Sequence, residues 1–394
     1  MEQKYNILII HNEYQYAGGE DTVVKNEFQL LGDHGHTVTL YKRNNQEIGQ
    51  MNILQKICLP FTTFFSFKSY REVSRLIKNY HIDIVHVHNT LPLISYSVYY
   101  AAKRNNCKLF QTIHNFRLVC PNGIMFRDGH ICEDCVSKGL TCSIKHSCYR
   151  NSKVQSLVIA TSLFIHRKIG TFDKVDKYLP LTEFNKNKLL KIIPAEKIFV
   201  KPNFIDIQPY TIVRPSDTFA NSPYFIYASR VEKTKGVFVV LEAFRKLKEE
   251  IIIIIGDGPD IKEAKEYVRE HHLVNVIILG QKTHEETLAY IKYASAMIFA
   301  SQWYEGFPMT IVESFALSTP VIGSDTPNIS SAIRGGFNGY TFIHNSSKDL
   351  CAKIKLYKTC TDTSILNNNA YNTFLANYTT DKIYKELYAI YSIK

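Results

Sequence analysis

The chain has 394 residues, of which 45% are hydrophobic and 21% charged, and its formal net charge is +11. This length suffices for two domains of ordinary size, and the composition is that of a soluble globular protein. No apolar run is long enough to span a bilayer, and Met1–Ile10 predicts a first strand rather than a secretion signal, so we expect a cytoplasmic protein whose nine cysteines are mostly reduced.

The positive charge is confined to the N-terminal half. Residues 1–205 carry 27 Lys and Arg against 16 Asp and Glu, whereas residues 206–394 carry 20 of each. A basic half-molecule indicates an anionic partner, which could be an anionic membrane surface, a lipid-diphosphate acceptor or nucleic acid. A solvated lysine-rich surface is the alternative interpretation of the same excess.

Both halves alternate apolar runs of strand length with amphipathic helical stretches, which predicts parallel sheets with crossover helices. The predicted strands of the first half are Tyr5–His11, Thr37–Tyr41, Ile82–His88, Lys108–His114, Lys177–Leu181 and Lys197–Lys201. Those of the second half are Tyr224–Ser229, Ile251–Gly256, Val276–Gly280, Ala296–Ala300, Pro320–Gly323 and Gly339–Ile343. The predicted helices are Thr22–Gly32, Ile94–Asn105, Lys153–Ile169, Gly236–Glu249, Ile261–His271, Glu285–Tyr293 and Thr310–Leu317.

The stretch from Asp206 to Ser222 interrupts this pattern, because it contains Pro209 and Pro215 and has no periodic apolar face. We interpret it as a linker. The predicted organisation is therefore a first domain over residues 1–205, a linker over 206–222 and a second domain over 223–379, followed by a C-terminal helix in 380–394. The five consecutive isoleucines from Ile251 predict a central strand that is buried on both faces.

The most informative motif follows the strand Ala296–Ala300, where Glu305-Gly306-Phe307-Pro308 precedes a predicted helix that carries Glu313. Gly306 lets the backbone approach a ligand closely. Pro308 suits the first helical position, where its missing N–H costs nothing. The amides of Met309 and Thr310 then point outward at the positive end of the helix, where they can bind an anion.

This motif resembles the signature of retaining, nucleotide-sugar-dependent glycosyltransferases of family four, also called glycosyl transferases group 1. The resemblance covers nearly the whole chain. It implies the GT-B fold, in which two Rossmann-like parallel-sheet domains face a central cleft and the last helix often crosses back to the first domain. It also implies that Glu305 lies by the donor sugar and that Glu313 binds the ribose. Two exposed glutamates on a solvated helix face are the alternative.

Two cations five residues apart suit a diphosphate. Arg230 ends a predicted strand and Lys235 precedes a helix that begins at Gly236. Arginine offers planar bidentate contacts, and lysine offers a mobile point charge. In the resembling family these cations bind the donor diphosphate and stabilise the departing group, whereas a lone arginine at a strand end is more often part of a salt bridge.

Two glycine turns are further donor-binding candidates. Gly256 and Gly258 follow the isoleucine strand, and Gly18 and Gly19 follow the first strand. Glycine permits close backbone approach to a phosphate, although neither turn is a complete dinucleotide fingerprint. The resemblance implies that the turn at Gly256 and Gly258 lies near the nucleotide; an ordinary tight turn is the alternative. It implies that the loop at Gly18 and Gly19 lies near the donor phosphate; a flexible connector with a helix cap at Asp21 is the alternative there.

His114 ends the strand that begins at Lys108. The resemblance implies that a histidine at this strand end contacts the donor sugar near the reacting carbon, where its imidazole can donate to a sugar oxygen. A lone histidine at a strand end is usually structural. His86 and His88, on the preceding strand, alternate to one face and are rival candidates.

A cysteine-rich segment spans residues 120–148. Cys132 and Cys135 form a C-x-x-C pair, and with Cys120 and Cys148 they could hold a structural zinc ion through four thiolates. Cys142 and His146 are alternative ligands. Free cysteines, or a disulfide or redox pair, are the other interpretations.

The segment from Leu54 to Arg71 is apolar and aromatic, with flanking cations. Such a segment can lie in a bilayer interface without spanning it. An ordinary helix and loop of the first-domain core is the alternative. If the membrane interpretation holds, the protein is peripheral at the inner face of the cell membrane.

We therefore expect a transferase that moves a sugar from a nucleotide-diphosphate sugar to a glycan or lipid-linked acceptor, in bacterial surface polysaccharide biosynthesis. No Asp-x-Asp metal clamp is evident, so no catalytic cofactor is expected. A nucleotide-sugar epimerase or hydrolase on the same fold is the first alternative. A basic nucleic-acid-binding protein with a zinc knuckle is the second, and it would leave the paired glutamates unexplained; no nucleic acid is expected as a partner.

Overall fold

The computed structural model describes residues 2–15, 18–207, 212–217 and 222–393. They fall into two compact units. The first unit comprises Met1–Met125, Cys132–Asn203 and Thr380–Lys394, and the second comprises Phe126–Ile131 and Phe204–Thr379. In the described ranges, no helix is both long enough and apolar enough to cross a bilayer.

The first unit is built on a five-stranded parallel sheet with the order β2-β1-β3-β4-β7. Its strands are β1 (Asn6–Glu13), β2 (Thr37–Asn44), β3 (Ile84–Asn89), β4 (Lys108–Ile113) and β7 (Lys177–Pro180). A two-stranded antiparallel hairpin interrupts the cysteine-rich segment and groups with the second unit; its strands are β5 (Phe126–Arg127) and β6 (His130–Ile131).

Helices cover both faces of this sheet, as parallel strands require. They are α1 (Gly19–Asp33), α2 (Glu47–Gln50), α3 (Ile53–Phe64), α4 (Phe67–Asn79), α5 (Ser97–Arg104), α6 (Asp134–Ser137), α7 (Thr141–Lys145), α8 (Lys153–Lys168), α9 (Glu183–Leu189) and α17 (Thr380–Ser392). The last of these packs on the first unit, where the buried Tyr391 hydroxyl lies 2.6 Å from His86 Nδ1 and Lys108 Nζ donates to the Tyr391 carbonyl.

The second unit contains a six-stranded parallel sheet with the order β10-β9-β8-β11-β12-β13. Its strands are β8 (Tyr224–Ala228), β9 (Ile251–Ile255), β10 (Val276–Gly280), β11 (Ala296–Phe299), β12 (Val321–Ser324) and β13 (Gly339–Phe342). The isoleucine strand is β9, and four of its five isoleucines are fully buried between neighbouring strands and helices. The prediction of a central, two-sided strand is confirmed.

Helices of the second unit are α10 (Val237–Lys246), α11 (Ile261–Glu270), α12 (His284–Lys292), α13 (Met309–Ala316), α14 (Pro327–Ser330), α15 (Ser347–Lys358) and α16 (Thr363–Asn377). Each strand from β8 to β11 is followed by one crossover helix, so the carboxyl ends of the strands lie at one edge of the sheet. Ligands of open α/β sheets bind at this edge.

One predicted strand, Lys197–Lys201, is wrong. The segment forms an isolated bridge between Ile198 and Tyr178 and donates two backbone hydrogen bonds to β7, from Phe199 to Tyr178 and from Lys201 to Pro180. Pro180 has no amide with which to return a bond, so no regular strand forms. The first-domain boundary also differs, since Phe204 and Ile205 are buried and group with the second unit. The predicted linker lies partly outside the described residues, at 208–211 and 218–221.

Candidate active site

Glu305 lies in the loop between β11 and α13 and is largely buried. Three side chains donate hydrogen bonds to its Oε1: Ser301 Oγ at 2.5 Å, Trp303 Nε1 at 2.7 Å and Lys235 Nζ at 2.7 Å. Asn328 Nδ2 also donates to the backbone carbonyl of Glu305. The carboxylate is therefore held in one orientation by groups from two loops.

These contacts decide the charge of Glu305. Burial alone raises the pKa of a carboxyl group, but the Lys235 charge and the three hydrogen bonds outweigh it, so the pKa of Glu305 is lowered. The carboxylate is ionised at neutral pH. All three side-chain donors bind Oε1, and none of the residues that the structure describes donates to Oε2. The second oxygen can therefore accept hydrogen bonds from a ligand.

Lys235 reaches Glu305 because two loops pack closely. Lys235 ends a 3-10 turn, and Gly236 follows with a left-handed φ of 77°. A Cβ on Gly236 would lie 2.0 Å from the Ala300 carbonyl oxygen, so only glycine permits this approach to the end of β11. The Lys235 ammonium also lies 5.0 Å from the Trp303 ring centroid, a cation–π contact.

Arg230 belongs to the same loop but points elsewhere. Its side chain is 65% exposed and its Nε lies 3.4 Å from Glu232 Oε2. The loop itself is rigidly held, since the buried Tyr227 hydroxyl lies 3.2 Å from the carbonyl oxygens of Arg230 and Lys235. The structure therefore brings Lys235 to Glu305, and leaves the Arg230 guanidinium at the surface.

Gly256 and Gly258 follow β9, as predicted, but their close approach is to protein backbone. A Cβ on Gly256 would lie 2.0 Å from the Ser229 carbonyl oxygen, and one on Gly258 would lie 2.3 Å from that of Val231. The Gly258 amide donates to Asp257 Oδ1 at 2.7 Å. Loop packing accounts for both glycines, and donor binding by them stays a prediction.

Glu313 lies on α13, and its Oε1 is 2.9 Å from Nε2 of His284 at the start of α12. No motif in the sequence pointed to His284 as a partner of Glu313. The hydrogen bond to Glu313 raises the pKa of His284. This contact ties the predicted ribose carboxylate to a neighbouring helix and leaves its second oxygen for other partners.

The start of α13 differs from the prediction by one residue. Pro308 is the N-cap and Met309 the first helical residue, and no side chain caps this end of the helix. The first backbone bond of the turn runs from the Ile311 amide to the Pro308 carbonyl at 3.0 Å. The Met309 and Thr310 amides precede it, where an anion site was predicted. Gly306 precedes this turn, and the Phe307 ring packs on Tyr378.

Gly18 and Gly19 belong to the first unit. Gly18 is the N-cap of α1, and its amide donates to Asp21 Oδ2 at 2.8 Å. The helix begins at Gly19 rather than at Thr22, because Asp21 caps backward from the third helical position. Tyr16 and Ala17, in the same loop, lie outside the described residues.

His114, also of the first unit, ends a chain of buried polar contacts. Its Nε2 lies 2.9 Å from His88 Nδ1, and His88 Nε2 lies 3.4 Å from Glu27 Oε1. Glu27 Oε2 accepts a hydrogen bond from Lys201 Nζ at 2.7 Å, and both side chains are fully buried. A cavity of about 30 Å³, roughly the size of one water molecule, borders His88 and His114.

The charges of this chain follow from burial and pairing. Burial lowers the pKa of His88 to about 3 and holds that of His114 well below its usual range. Burial would raise the pKa of Glu27, but Lys201 and the neighbouring imidazoles hold it well below its usual range. The pair Glu27–Lys201 is thus ionised, and the two histidines are neutral.

Both imidazoles are neutral, so one of the facing nitrogens, His88 Nδ1 or His114 Nε2, donates to the other. His88 Nε2 and Glu27 Oε1 lie 3.4 Å apart without forming a hydrogen bond. Donation by His114 to a sugar oxygen stays a prediction.

His86 and His88 alternate to one face of β3, as predicted, and together with Glu27 they bring three possible metal ligands within 4.8 Å of one another. His86 is already engaged by Tyr391 and by Thr112 Oγ1 at 2.8 Å. The Lys201 ammonium already pairs with Glu27 through Oε2, and His86 Nδ1 lies 2.8 Å from Oε1. The cluster is an internal ion pair with its solvating imidazoles.

The predicted zinc ligands are Cys120, Cys132, Cys135 and Cys148. A hydrogen bond joins Cys120 to Cys135, lowers the pKa of Cys120 to about 6 and raises that of Cys135. Cys120 is buried, and the other three cysteines are half-buried. Zinc binding through these four thiolates stays a prediction.

Two family models match the chain. Glycosyltransferase Family 4 covers residues 17–209, and Glycosyl transferases group 1 covers residues 211–373. The predicted fold class, two parallel-sheet α/β domains of the GT-B type, is confirmed. Of the solved structures, Anabaena HepE in complex with UDP superimposes with a TM-score of 0.68 at 16% identity and covers 98% of this chain and 99% of that one. At that identity the match shows the fold alone.

Curated relatives extend over much of the chain. The alpha-monoglucosyldiacylglycerol synthase of Streptococcus pneumoniae is 24% identical over 336 residues, which is 81% of this chain and 71% of that protein. The amylovoran biosynthesis glycosyltransferase AmsD of Erwinia amylovora is 24% identical over 334 residues, covering 82% and 81%. With several other relatives the aligned region spans only 27% to 48% of the relative's length.

Two histidines should titrate on opposite sides of the usual value of about 6.5. Burial lowers the pKa of His88 to about 3, and Glu313 raises that of His284. We expect imidazole NMR signals to show His88 neutral from about pH 5 to 8 and His284 protonating above pH 6.5. Because the pKa of His88 is lower in the folded than in the unfolded chain, the unfolded chain binds more protons in acid. The free energy of unfolding should therefore decrease as pH falls below about 6.5.

Glu313→Gln is the matched control, because it should return the pKa of His284 toward about 6.5 while His88 stays neutral. A His88 signal that titrates near pH 6.5 would contradict the buried network, and an unchanged His284 in the variant would contradict the contact with Glu313.

The zinc site is tested by elemental analysis of purified protein. We expect near-stoichiometric zinc that is lost in Cys132→Ser, because a tetrahedral site does not survive the loss of one of four thiolates. Cys360→Ser, in the second unit, should retain it. Metal-free native protein in which all five thiols of residues 120–148 react with a thiol reagent would refute the site.

Proposed function

This chain carries the two domains of a glycosyltransferase, Family 4 and group 1, and we propose that it transfers a sugar from a nucleotide-diphosphate sugar to a glycan or lipid-linked acceptor with retention of anomeric configuration. The pathway we propose is bacterial surface polysaccharide biosynthesis. The naming of AmsD after amylovoran biosynthesis supports that choice.

The observation that carries the proposal is the environment of Glu305. A buried, ionised carboxylate with one free oxygen, a cation on its other oxygen and an uncapped helix start lie at the carboxyl edge of one sheet. The free Oε2 suits a sugar hydroxyl. Lys235 and the α13 amides suit the diphosphate, which carries the charge that grows as the sugar departs.

The reaction follows from these assignments. The bond between the anomeric carbon and the diphosphate oxygen breaks with oxocarbenium character, while Lys235, Arg230 and the Met309 and Thr310 amides stabilise the departing oxygen. The acceptor hydroxyl attacks from the same face, and its proton passes to the departing diphosphate. No metal takes part in this proposal, because the cations and amides supply the positive charge.

Other side chains orient the donor. Glu313 binds the ribose hydroxyls, and its hydrogen bond to His284 holds it in place. His114, which burial keeps neutral, forms a hydrogen bond with an oxygen of the donor sugar. Anabaena HepE was solved with UDP, which supports a uridine nucleotide as the first donor to test.

The acceptor side belongs to the basic half of the chain. Its charge suits a lipid-linked acceptor at an anionic membrane surface. The name of the Streptococcus pneumoniae relative, a synthase of a glucosylated diacylglycerol, supports this choice. We propose that the protein works in the cytoplasm at the inner face of the cell membrane.

A thermal-shift screen across UDP-, GDP-, ADP- and dTDP-sugars tests donor binding, since a ligand of the native state raises its stability. With the donor so identified, Glu313→Ala should weaken its binding by about 1.5–3 kcal/mol, the usual cost of losing a hydrogen bond to a charged group. Calorimetry on the folded variant measures it. Glu285→Ala, a neighbouring exposed glutamate, should bind the donor normally. Affinity within twofold of wild type for Glu313→Ala would remove the ribose assignment.

Turnover tests the charge-stabilising groups. Lys235→Ala and Arg230→Ala should each lower turnover about a hundredfold or more, because each removes a preorganised electrostatic group. The matched control is Lys233→Ala, whose ammonium pairs with Glu263 at 2.8 Å and should not matter.

Three results would change the proposal. Wild-type turnover in Lys235→Ala would place the diphosphate elsewhere. Loss of activity with EDTA that Mg²⁺ restores would overturn the metal-free mechanism. Consumption of the nucleotide sugar without an acceptor would indicate the epimerase or hydrolase alternative.

A further inference from the structure

Helix α3 is an apolar helix that lies on the surface of the first unit. Of its twelve residues only Thr63 is buried. Four large apolar side chains are between 62% and 77% exposed: Ile53, Leu54, Ile57 and Phe61. Clustered exposure of this kind marks an interaction surface, whereas single exposed apolar residues need no explanation.

Helix α8 packs against the end of α3 and adds a second stripe. The Phe64 ring stacks on His166 with centroids 4.6 Å apart, and His166 Nε2 lies 3.1 Å from the Phe64 carbonyl oxygen. Along α8, Val154, Leu157 and Phe164 are at least half exposed and recur at helical spacing on one side. We call these seven exposed side chains of α3 and α8 the apolar face.

The two stretches of sequence that carry the apolar face contain no carboxylates. From Asn52 to Arg71 there is no Asp or Glu, and from Val136 to Phe172 there is none. The cations in these two stretches are Lys56, Lys68, Arg71, Lys138, Lys145, Arg150, Lys153, Arg167 and Lys168. Three of them have protein partners: Lys68 lies 4.0 Å from Glu72, Lys138 lies 2.8 Å from Asp134, and Arg167 donates to the Leu118 carbonyl. A partner of negative charge with an apolar interior fits this composition, and a neutral or cationic protein surface does not.

The apolar side chains of the segment Leu54–Arg71, which was predicted to face a membrane, differ in their exposure. The Phe65 ring packs against two tyrosines, with its centroid 5.9 Å from that of Tyr100 and 6.1 Å from that of Tyr70. Phe64 is held by His166. Both phenylalanines are half-buried against neighbouring rings, and the more exposed apolar side chains lie one to three turns earlier on α3.

An open pocket of about 540 Å³ begins where α3 ends. Its lining combines four aromatic rings with three cations, among them Phe67, Arg104 and Lys174. Lys103 pairs with Asp176 at 2.5 Å, whereas Arg104 and Lys174 form no ion pair with a described carboxylate. Lys174 instead lies 4.8 Å from the Tyr100 ring centroid. Two cations without an ion-pair partner among the described carboxylates, in a pocket lined by aromatic rings, suit the phosphate of a lipid headgroup.

We propose that the apolar face docks onto an anionic bilayer, with the side chains of α3 and α8 in the boundary between headgroups and acyl chains and the surrounding cations on lipid phosphates. The pocket beside it takes one headgroup. This inference deepens the membrane partner of the proposed function by naming the surface. Vesicle binding requires neither donor nor transfer, so the two ideas can fail separately.

Sedimentation with phosphatidylcholine vesicles, with and without phosphatidylglycerol, tests the surface on the full chain. Ile57→Asp with Phe61→Asp should weaken binding to anionic vesicles at least about tenfold, because each carboxylate opposes insertion and meets anionic lipid. Val274→Asp with Ile343→Asp is the matched control, since both are exposed apolar residues of the second unit. It should bind as wild type does.

A second pair of substitutions tests the cations of the pocket. Arg104→Glu with Lys174→Glu should reduce the preference for anionic over neutral vesicles, and Lys262→Glu with Lys265→Glu on α11 should not. Raising salt from about 0.1 M to 1 M shortens the Debye length from about 10 Å to 3 Å and should weaken binding by wild type.

Each remaining outcome is informative. Equal binding to both vesicle types, or no binding to either, overturns the proposal. Dimers on size-exclusion chromatography that Ile57→Asp with Phe61→Asp dissolves would assign the face to a second copy of the chain. Unchanged thermal stability and donor affinity in that variant, together with lost vesicle binding, would support the lipid surface even if transfer were never detected.

Discussion

One carboxylate oxygen organises the candidate active site. Glu305 Oε1 receives hydrogen bonds from Ser301, Trp303 and Lys235, which come from two different loops of the second unit. Burying a charge costs several kcal/mol unless partners compensate for the lost water. Here the partners come from the loops that the site must hold together, so the ion pair and the loop geometry stabilise each other. The close approach of Gly236 to Ala300 makes the arrangement possible.

A buried ion pair also lies in the interior of the first unit. Glu27 and Lys201 form a fully buried ion pair, and two neutral histidines extend it to the end of β4. Removing one member of such a pair typically costs about 3–5 kcal/mol, because the other charge remains buried and unpaired. The pair therefore constrains α1, β3 and the segment after β7 at once.

The fold was largely predictable because its pattern is local. Strands buried on both faces appear as apolar runs such as Ile251–Ile255, and glycine and proline mark the turns between them. The loop motif at Glu305 and the basic Lys235 were also visible, since their residue types are unusual at strand ends. The strand at Lys197 failed because pairing depends on a neighbour, and Pro180 could not supply the amide.

Partners that come from elsewhere in the chain could not be predicted. Nothing in the sequence links His284 to Glu313, or Lys201 to Glu27, which is 174 residues away. One feature of the sequence did indicate that Glu27 is buried: it lies on the apolar face of α1 that Val23, Val24, Leu30 and Leu31 form. The exposure of α3 was likewise hidden, since an apolar helix has the same composition whether it is buried or bare. Only packing decides between the two.

The most direct measurement is the crystallographic position of a nucleoside diphosphate soaked into crystals of this protein. The account predicts diphosphate oxygens within hydrogen-bonding distance of Lys235 Nζ and of the first amides of α13, with the ribose hydroxyls on Glu313. A diphosphate bound at another edge of the second unit, with the Lys235–Glu305 pair untouched, would contradict it.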